Sequence, residues 1–163
     1  VARHDGSWTH MDKAFKRAEG LLENWMKEHH DKDCYPPTII NITDGEYNGT
    51  SYDEMQQLAN QLKSMFTNDG NVLLFNIHVV PEHAESVVFP ATVDELNGNG
   101  YGKKLYEMSS LLPLNYNEQI RNIFGDKQAD IRYHAMGVNT GMERLVKMMK
   151  IGTLSRMLAN QNP

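Results

Sequence analysis

One apolar run constrains the fold of this chain more than any other feature of its sequence. Residues 72–80 contain only two polar side chains, and the run stops at a proline. Such a run is typical of a β-strand in a sheet that is covered on both faces. A second, β-branched run over 38–43 stops at Asp44-Gly45 and predicts another buried strand.

Amphipathic helices are predicted before and after the strand over 38–43. Apolar residues recur every three or four positions over about 10–28, which predicts a helix with Thr9 as its N-cap. Asp12 is one of the polar residues that this pattern assigns to the face opposite the apolar one. The same spacing over 55–66 predicts a second helix, ended by the turn-forming residues 68–70.

The second half of the chain gives weaker patterns. Residues 82–102 carry no regular pattern, and helices are predicted over 105–112, over 120–124 and after Gly141. Ile131, Tyr133 and Ala135 alternate with Arg132, His134 and Met136, which predicts a strand over 131–136 near an edge of the sheet. Helices and strands therefore alternate along nearly the whole chain.

This order predicts a three-layer α/β fold with a doubly wound, mostly parallel sheet and helices on both faces. We treat residues 1–163 as a single domain in which 152–163 form a frayed tail. Right-handed crossovers place the carboxyl ends of parallel strands at one edge of the sheet, where such folds bind ligands. Asp44 and the loop leading through Thr9 are expected at that edge.

Composition narrows the classes of function. Lys and Arg number 16 against 21 Asp and Glu, and a net charge of −5 argues against a nucleic-acid binder with a broad basic surface. No apolar run approaches the roughly 20 residues that cross a bilayer, and the first residues lack the apolar core of a signal peptide. Cys34 is the only cysteine, which fits a reducing compartment. These features predict a cytoplasmic protein without nucleic-acid or membrane partners.

Asp44 and Thr9 are the leading candidates for chemistry. A hydroxyl and a carboxylate at one sheet edge are hard oxygen donors suited to Mg²⁺, Ca²⁺ or Mn²⁺. Each also has a purely structural explanation, since Asp-Gly is a common turn pair and Thr is a common N-cap. The sequence leaves both explanations open.

Three other features favour structural roles. Residues 98–104 resemble a phosphate-binding loop but lack its spacing and the Ser or Thr after the lysine, which favours a flexible connector. The His29–Cys34 cluster has no second ligand pair at structural-zinc spacing, which favours a solvated loop. His78 lies in an apolar strand, which favours a hydrogen-bonded core histidine.

A family resemblance joins these observations. Residues 38–45 resemble the strand and Thr-Asp-Gly turn of the von Willebrand factor type A (vWA) domain, and 6–11 resemble its Gly-Ser-Thr-Pro-Met loop. The strand over 73–78 is similar to a bacterial, intracellular branch, and the resemblance runs from about Gly6 to Thr153. The resemblance implies a metal-ion-dependent adhesion site whose metal ligands come from three loops.

The resemblance assigns two of the metal ligands and leaves the others missing. Thr9 matches the threonine of the second loop and Asp44 the aspartate of the third, so these residues would hold Mg²⁺, Ca²⁺ or Mn²⁺. The Asp-x-Ser-x-Ser motif of the first loop does not occur in the sequence, and Trp8 and His10 depart from the second-loop pattern. The match thus covers a partial domain, incomplete at its N-terminal side.

A parallel sheet without the missing strand would expose apolar flanks, so we expect a preceding segment or a second chain to complete it. The start at Val1 favours truncation.

The resemblance implies a non-catalytic protein-binding module. A partner presenting an acidic side chain would complete the ion's coordination, with Glu46 and Tyr47 on the contact rim. The alternative is a metal-dependent phosphoryl-transfer or hydrolytic enzyme that uses Asp44, although the sequence has no phosphate loop or Gly-x-Ser-x-Gly elbow. A third possibility is a structural fragment with a vestigial site.

Overall fold

The computed structural model describes residues 10–29, 34–44, 46, 50–79, 85–97 and 100–153. Within these ranges the chain forms a four-stranded sheet, a two-stranded hairpin and five α-helices. The helices are α1 (Met11–His29), α2 (Tyr52–Ser64), α3 (Gly100–Met108), α4 (Asn117–Phe124) and α5 (Gly141–Gly152). The strands are β1 (Thr38–Thr43), β2 (Phe66–Thr67), β3 (Gly70–Asn71), β4 (Leu73–His78), β5 (Val87–Val88) and β6 (Met136–Val138). Short 3₁₀ turns cover Val93–Leu96 and Leu114–Tyr116.

The four-stranded sheet has the order β1-β4-β6-β5 and is mostly parallel. β1 pairs with β4 in parallel along its whole length, from Thr38 opposite Leu73 to Thr43 opposite His78. β4 pairs in parallel with β6, and β5 runs antiparallel to β6 at the far edge. The prediction of an α/β protein with a mostly parallel sheet is confirmed, and β1 occupies one edge of that sheet.

β4 is the strand that the long apolar run predicts, and all six of its residues are buried. Its side chains alternate between two core clusters. Leu74 packs with apolar residues of α1, α2 and α3. Leu73, Phe75 and Ile77 pack with residues of α4 and α5. The prediction of a buried strand at 72–80 is thus confirmed for its central six residues, and Val80 lies outside the described residues.

The first half of the chain follows its patterns closely, with one correction. α1 and β1 begin and end within one residue of the predicted bounds. α2 begins earlier than expected because Ser51 and Glu54 form a capping box. The prediction that this helix reaches Phe66 is wrong, since the backbone turns extended at Met65 and Phe66 enters β2 with 71% of its surface exposed.

The second half needs more correction. The strand predicted over 131–136 is wrong except at Met136: β6 begins there and is paired on both sides, so it is not an edge strand. Tyr133 and Ala135 do alternate into the core. Before Met136 the chain forms no continuous strand, although His134 makes an isolated β-bridge with Leu111 and the Ala135 carbonyl accepts from the Asn76 N–H at 3.0 Å. α3 ends at Met108, before the predicted 112. The pattern also missed the two-residue β5, and the expected tail lies outside the described residues beyond Thr153.

Candidate functional site

The carboxyl ends of three strands and the start of α1 lie at one edge of the molecule. β1, β4 and β6 are parallel, so the residues that follow them share that edge. The first turn of α1 reaches the same region, because the Asn41 amide lies 3.8 Å from the Met11 sulfur. We call this region the carboxyl edge.

Asp44 lies at the carboxyl edge and is exposed. Its Oδ1 accepts a hydrogen bond from the Glu46 backbone N–H at 3.2 Å, a short-range turn contact that aspartate commonly makes. The Nε2 atom of buried His78 donates to the Asp44 main-chain oxygen at 2.7 Å. The His78 contact holds the Asp44 main chain, and the Glu46 contact engages one oxygen of its carboxylate.

The structure places only part of the predicted site. Thr9 and Tyr47 lie outside the described residues, so their positions relative to Asp44 stay a prediction. Glu46 is described and exposed, as a residue of a contact rim must be. His78 is a hydrogen-bonded core histidine, as the sequence favoured.

Asp12 is a residue at this edge that sequence analysis placed wrongly. It belongs to the first turn of α1 and is only 9% exposed, although the helical pattern assigned it to the polar face. Its Oδ1 has no hydrogen-bond partner among the described residues, and His10 Nδ1 lies 3.7 Å away. A carboxylate near a helix N-terminus is stabilised by the helix dipole, but spacing alone could not show that this one is buried.

A buried polar network lies below the edge. The Asn76 side chain, fully buried in β4, accepts from the Asn41 amide at 2.8 Å and donates to the Leu105 carbonyl and the Ser109 hydroxyl at 3.2 and 3.0 Å. Ser109 in turn donates to the Leu105 carbonyl at 2.7 Å. This network joins β1, β4 and the end of α3, so it holds the strands that carry the carboxyl edge.

The described residues do not by themselves form a metal cage. Among them, no group of three or more His, Cys, Asp or Glu side chains is arranged to hold an ion. In the His29–Cys34 cluster, the His29 ring stacks on Trp25 with 4.3 Å between ring centroids, and its Nδ1 donates to the Trp25 carbonyl. His29 is therefore the last residue of α1 and not part of the expected loop, while residues 30–33 lie outside the described ranges.

A separate histidine, His134, lies away from the carboxyl edge. Its backbone forms an isolated antiparallel β-bridge with Leu111. The His134 ring stacks on Tyr106 at 3.8 Å and its Nδ1 donates to the Tyr106 carbonyl at 3.1 Å. Burial lowers the pKa of His134 from its ordinary value of 6.5, and the positive charge of Lys63 lowers it further. Burial also lowers the pKa of Lys63. Sequence spacing gave no sign of this cluster.

A large apolar cavity of about 670 Å³ lies beside β1. α1 supplies one wall and the end of α5 another, with the loop before β1 and the start of β1 between them. The lining residues are Ala18, Leu21, Leu22, Trp25, Tyr35, Pro36, Pro37, Thr38, Ile39, Gly152 and Thr153. We call this cavity the β1 groove.

No protein-family model, curated protein or solved structure matches this chain. Among the described residues, no helix combines the length and the apolar content needed to cross a bilayer.

Proposed function

We propose that this chain is a non-catalytic protein-binding module of the vWA type, which recognises a partner through a divalent metal at the carboxyl edge. In this proposal the fold is the three-layer, doubly wound arrangement, incomplete beyond β1. The two core clusters on either side of β4 support that arrangement, since they pack α1, α2 and α3 apart from α4 and α5.

The observation that carries the proposal is the setting of Asp44. It is an exposed carboxylate at the end of a parallel strand. The His78 ring donates to its main-chain oxygen and so fixes its backbone, while the Glu46 N–H donates to its carboxylate Oδ1. A fixed backbone reduces the entropy lost when a side chain is recruited to a ligand. Because the same hydrogen bond from Glu46 also suits a simple turn, only a binding measurement separates the two roles.

The donor set at this edge fits a hard divalent ion in its chemistry. Asp44 and Thr9 would hold the ion, since carboxylate and hydroxyl oxygens are preferred ligands of Mg²⁺ and Mn²⁺. Asp12 adds a buried carboxylate oxygen without a hydrogen-bond partner among the described residues. These groups are fewer than the six ligands that such ions usually take, so further ligands from another segment or chain belong to the proposal.

The chain's own residues would then hold and present the site. A bound ion supplies a coordination position that a partner's acidic side chain can fill. His78 keeps the end of β1 tied to the end of β4, so Asp44 does not shift when a partner binds. Glu46 and Tyr47 flank the partner's acidic group and favour a partner whose surrounding surface is not itself acidic.

A peptide selection tests this proposal. A random peptide library is panned on the chain in Mn²⁺, and bound peptides are eluted with EDTA. We expect enrichment of peptides with Asp or Glu, and loss of that enrichment with Asp44→Asn. Asp94→Asn is the matched control because Asp94 is exposed on a different segment and the charge change is the same.

Mn²⁺ binding followed by electron paramagnetic resonance gives the second readout. Asp44→Asn should weaken Mn²⁺ binding by about tenfold or more, as loss of a ligand typically does. Acidic peptides that bind equally well with EDTA, or equally well to Asp44→Asn, would show that Asp44 is a turn residue. Metal-dependent turnover of phosphate or ester substrates that is lost with Asp44→Asn would favour the enzyme alternative instead.

A further inference from the structure

The amine of Lys63, in the last turn of α2, is half-buried and weakly bonded. Its Nζ donates to the main-chain carbonyl of Ser109, just after α3, at 3.5 Å, which is long for such a bond. The Asn71 amide donates to the Lys63 carbonyl at 3.1 Å and helps to hold the backbone that carries the amine. The amine is thus placed by the fold without being strongly engaged.

No carboxylate neutralises this amine in the described part of the chain, where Lys63 forms no ion pair. Glu107, the acidic residue in the last turn of α3, directs its carboxylate to the Tyr52 hydroxyl instead. The ionisable group that interacts with Lys63 is His134, whose pKa the Lys63 charge lowers. Burial without a counter-ion disfavours the charged form of an amine, and burial accordingly lowers the pKa of Lys63.

Lys127 provides a comparison within the same chain. It is also half-buried, and its Nζ donates to the main-chain carbonyl of Phe89 at 3.3 Å. The Lys127 Nζ lies 5.2 Å from the centroid of the Tyr133 ring, whose face attracts an ammonium group. Lys63 has no such ring contact among the described residues. The two lysines therefore match in burial and hydrogen bonding and differ in what compensates their charge.

A desolvated lysine beside another basic group is the kind of amine that attacks carbonyl carbon, because only its neutral form carries the lone pair. We propose that Lys63 is a reactive amine that binds a small uncharged aldehyde covalently as a Schiff base. An uncharged aldehyde suits this position because the amine and the imine that replaces it are then both neutral in a half-buried setting. The reaction is independent of the metal site proposed at Asp44.

The bond changes balance without a further reactant. The Nζ lone pair forms a bond to the aldehyde carbon, and the electrons of the carbonyl π bond move to the oxygen. A proton passes from the nitrogen to that oxygen, which gives a carbinolamine. Loss of water, made from this hydroxyl and the remaining N–H proton, leaves the C=N bond.

Reductive trapping of the imine tests this proposal. The chain is mixed with a limiting amount of propanal and sodium cyanoborohydride, which reduces each imine to a stable secondary amine, and peptide mass spectrometry gives the initial labelling rate at each lysine. At pH 7.5, Lys63 should be labelled faster than Lys127 by about fivefold or more, since the neutral fraction of an amine rises about tenfold for each unit by which its pKa falls. The ratio of the two rates should fall as the pH approaches 10.5, the ordinary pKa of lysine.

Two variants at His134 separate charge from packing. His134→Glu places a carboxylate near the amine, which stabilises the ammonium form, and should slow labelling of Lys63 to about the Lys127 rate. His134→Gln also removes the ring but adds no charge, so Lys63 should stay the faster site. Lys63→Arg keeps the positive charge without the nucleophile and should remove the fast-labelled site while leaving the Lys127 rate unchanged.

Three results would overturn the proposal. Equal labelling of Lys63 and Lys127 in the wild-type chain would show that the Lys63 amine is not activated. Faster labelling of the exposed Lys13 and Lys103 than of Lys63 would show that access alone sets the rates. Equal Lys63 rates in His134→Glu and His134→Gln would show that charge at this position does not control the amine. The first two comparisons use the wild-type chain, so they hold even if a variant does not fold.

Discussion

His78 Nε2 donates a hydrogen bond of 2.7 Å to the main-chain oxygen of Asp44. Since His78 is the last residue of β4 and Asp44 follows the last residue of β1, this bond ties together the ends of two parallel strands. His78 is 2% exposed whereas Asp44 is exposed, so a core side chain sets the position of a surface turn. The mobility of Asp44 therefore depends on the interior of the protein.

Replacing His78 should loosen the Asp44 turn. His78→Phe keeps a ring in the core but removes the donor, and we expect the free energy of unfolding to fall by about 1–2 kcal/mol. Amide exchange at Glu46, whose N–H bonds to Asp44 Oδ1, should speed up. The amide of Glu54, which bonds to Ser51 in the α2 cap, serves as the internal control. Faster exchange at both amides would indicate a global effect and contradict the specific link.

Asn76 should be the most costly polar residue to remove from the core. Asn76→Ala leaves the Asn41 amide and the Ser109 hydroxyl without their shared partner, so we expect a loss of about 2–4 kcal/mol in the free energy of unfolding. Urea denaturation measures this loss. The double variant with Asn41→Ala should cost less than the sum of the single variants by about 1 kcal/mol, because the two side chains bond directly. Strict additivity would show that the Asn41–Asn76 bond contributes nothing.

The regular elements that bury a continuous face were predictable from sequence. β1 and β4 are apolar runs that end at clear breakers, and α1 repeats apolar residues at helical spacing over nineteen residues. Strong periodicity of this kind reflects burial, which is the dominant stabilising force in such elements. The α/β class and the parallel sheet followed from their order.

The errors occur where tertiary contacts override local pattern. Phe66 continues the apolar spacing of α2, yet the backbone leaves the helix at Met65 and pairs β2 with β3. β6 has only three residues and is held by β4 and β5 on its two sides, so no local period marks it. Short strands owe their existence to their neighbours, which a single sequence does not display.

The candidate site was only partly predictable for a related reason. Asp44 could be predicted because the Asp44-Gly45 turn directly follows a buried strand, and the residues after parallel strands lie at the carboxyl edge of the sheet. Asp12 could not, because a carboxylate in a first helical turn predicts solvent exposure, whereas tertiary packing leaves Asp12 only 9% exposed. The Asn41–Asn76–Ser109 network joins residues far apart in sequence, so its members carry no common motif.

Two glycines should respond oppositely to alanine. A Cβ on Gly137 in β6 would lie 2.8 Å from the Met148 sulfur and collide with the Thr140 methyl, so Gly137→Ala should cost about 1–3 kcal/mol of unfolding free energy. A Cβ on Gly20 in α1 would meet nothing within 4 Å, so Gly20→Ala should add about 0.5–1 kcal/mol. Thermal unfolding of both variants checks the pair. A stabilising Gly137→Ala would mean that Met148 and Thr140 move aside at little cost.

His134 should make the stability of the protein fall at acid pH. Burial and the charge of Lys63 lower its pKa in the folded protein below the value of 6.5 that it regains on unfolding, despite the opposing hydrogen bond to Tyr106. The unfolded chain therefore binds the proton more readily, so stability is present above pH 6.5 and falls as the pH drops from there towards the folded pKa. His134→Phe keeps the stacking on Tyr106 but cannot titrate. In urea denaturation at pH 7.5 and pH 5, wild type should lose more stability than His134→Phe, and equal losses would mean that other groups set the acid response.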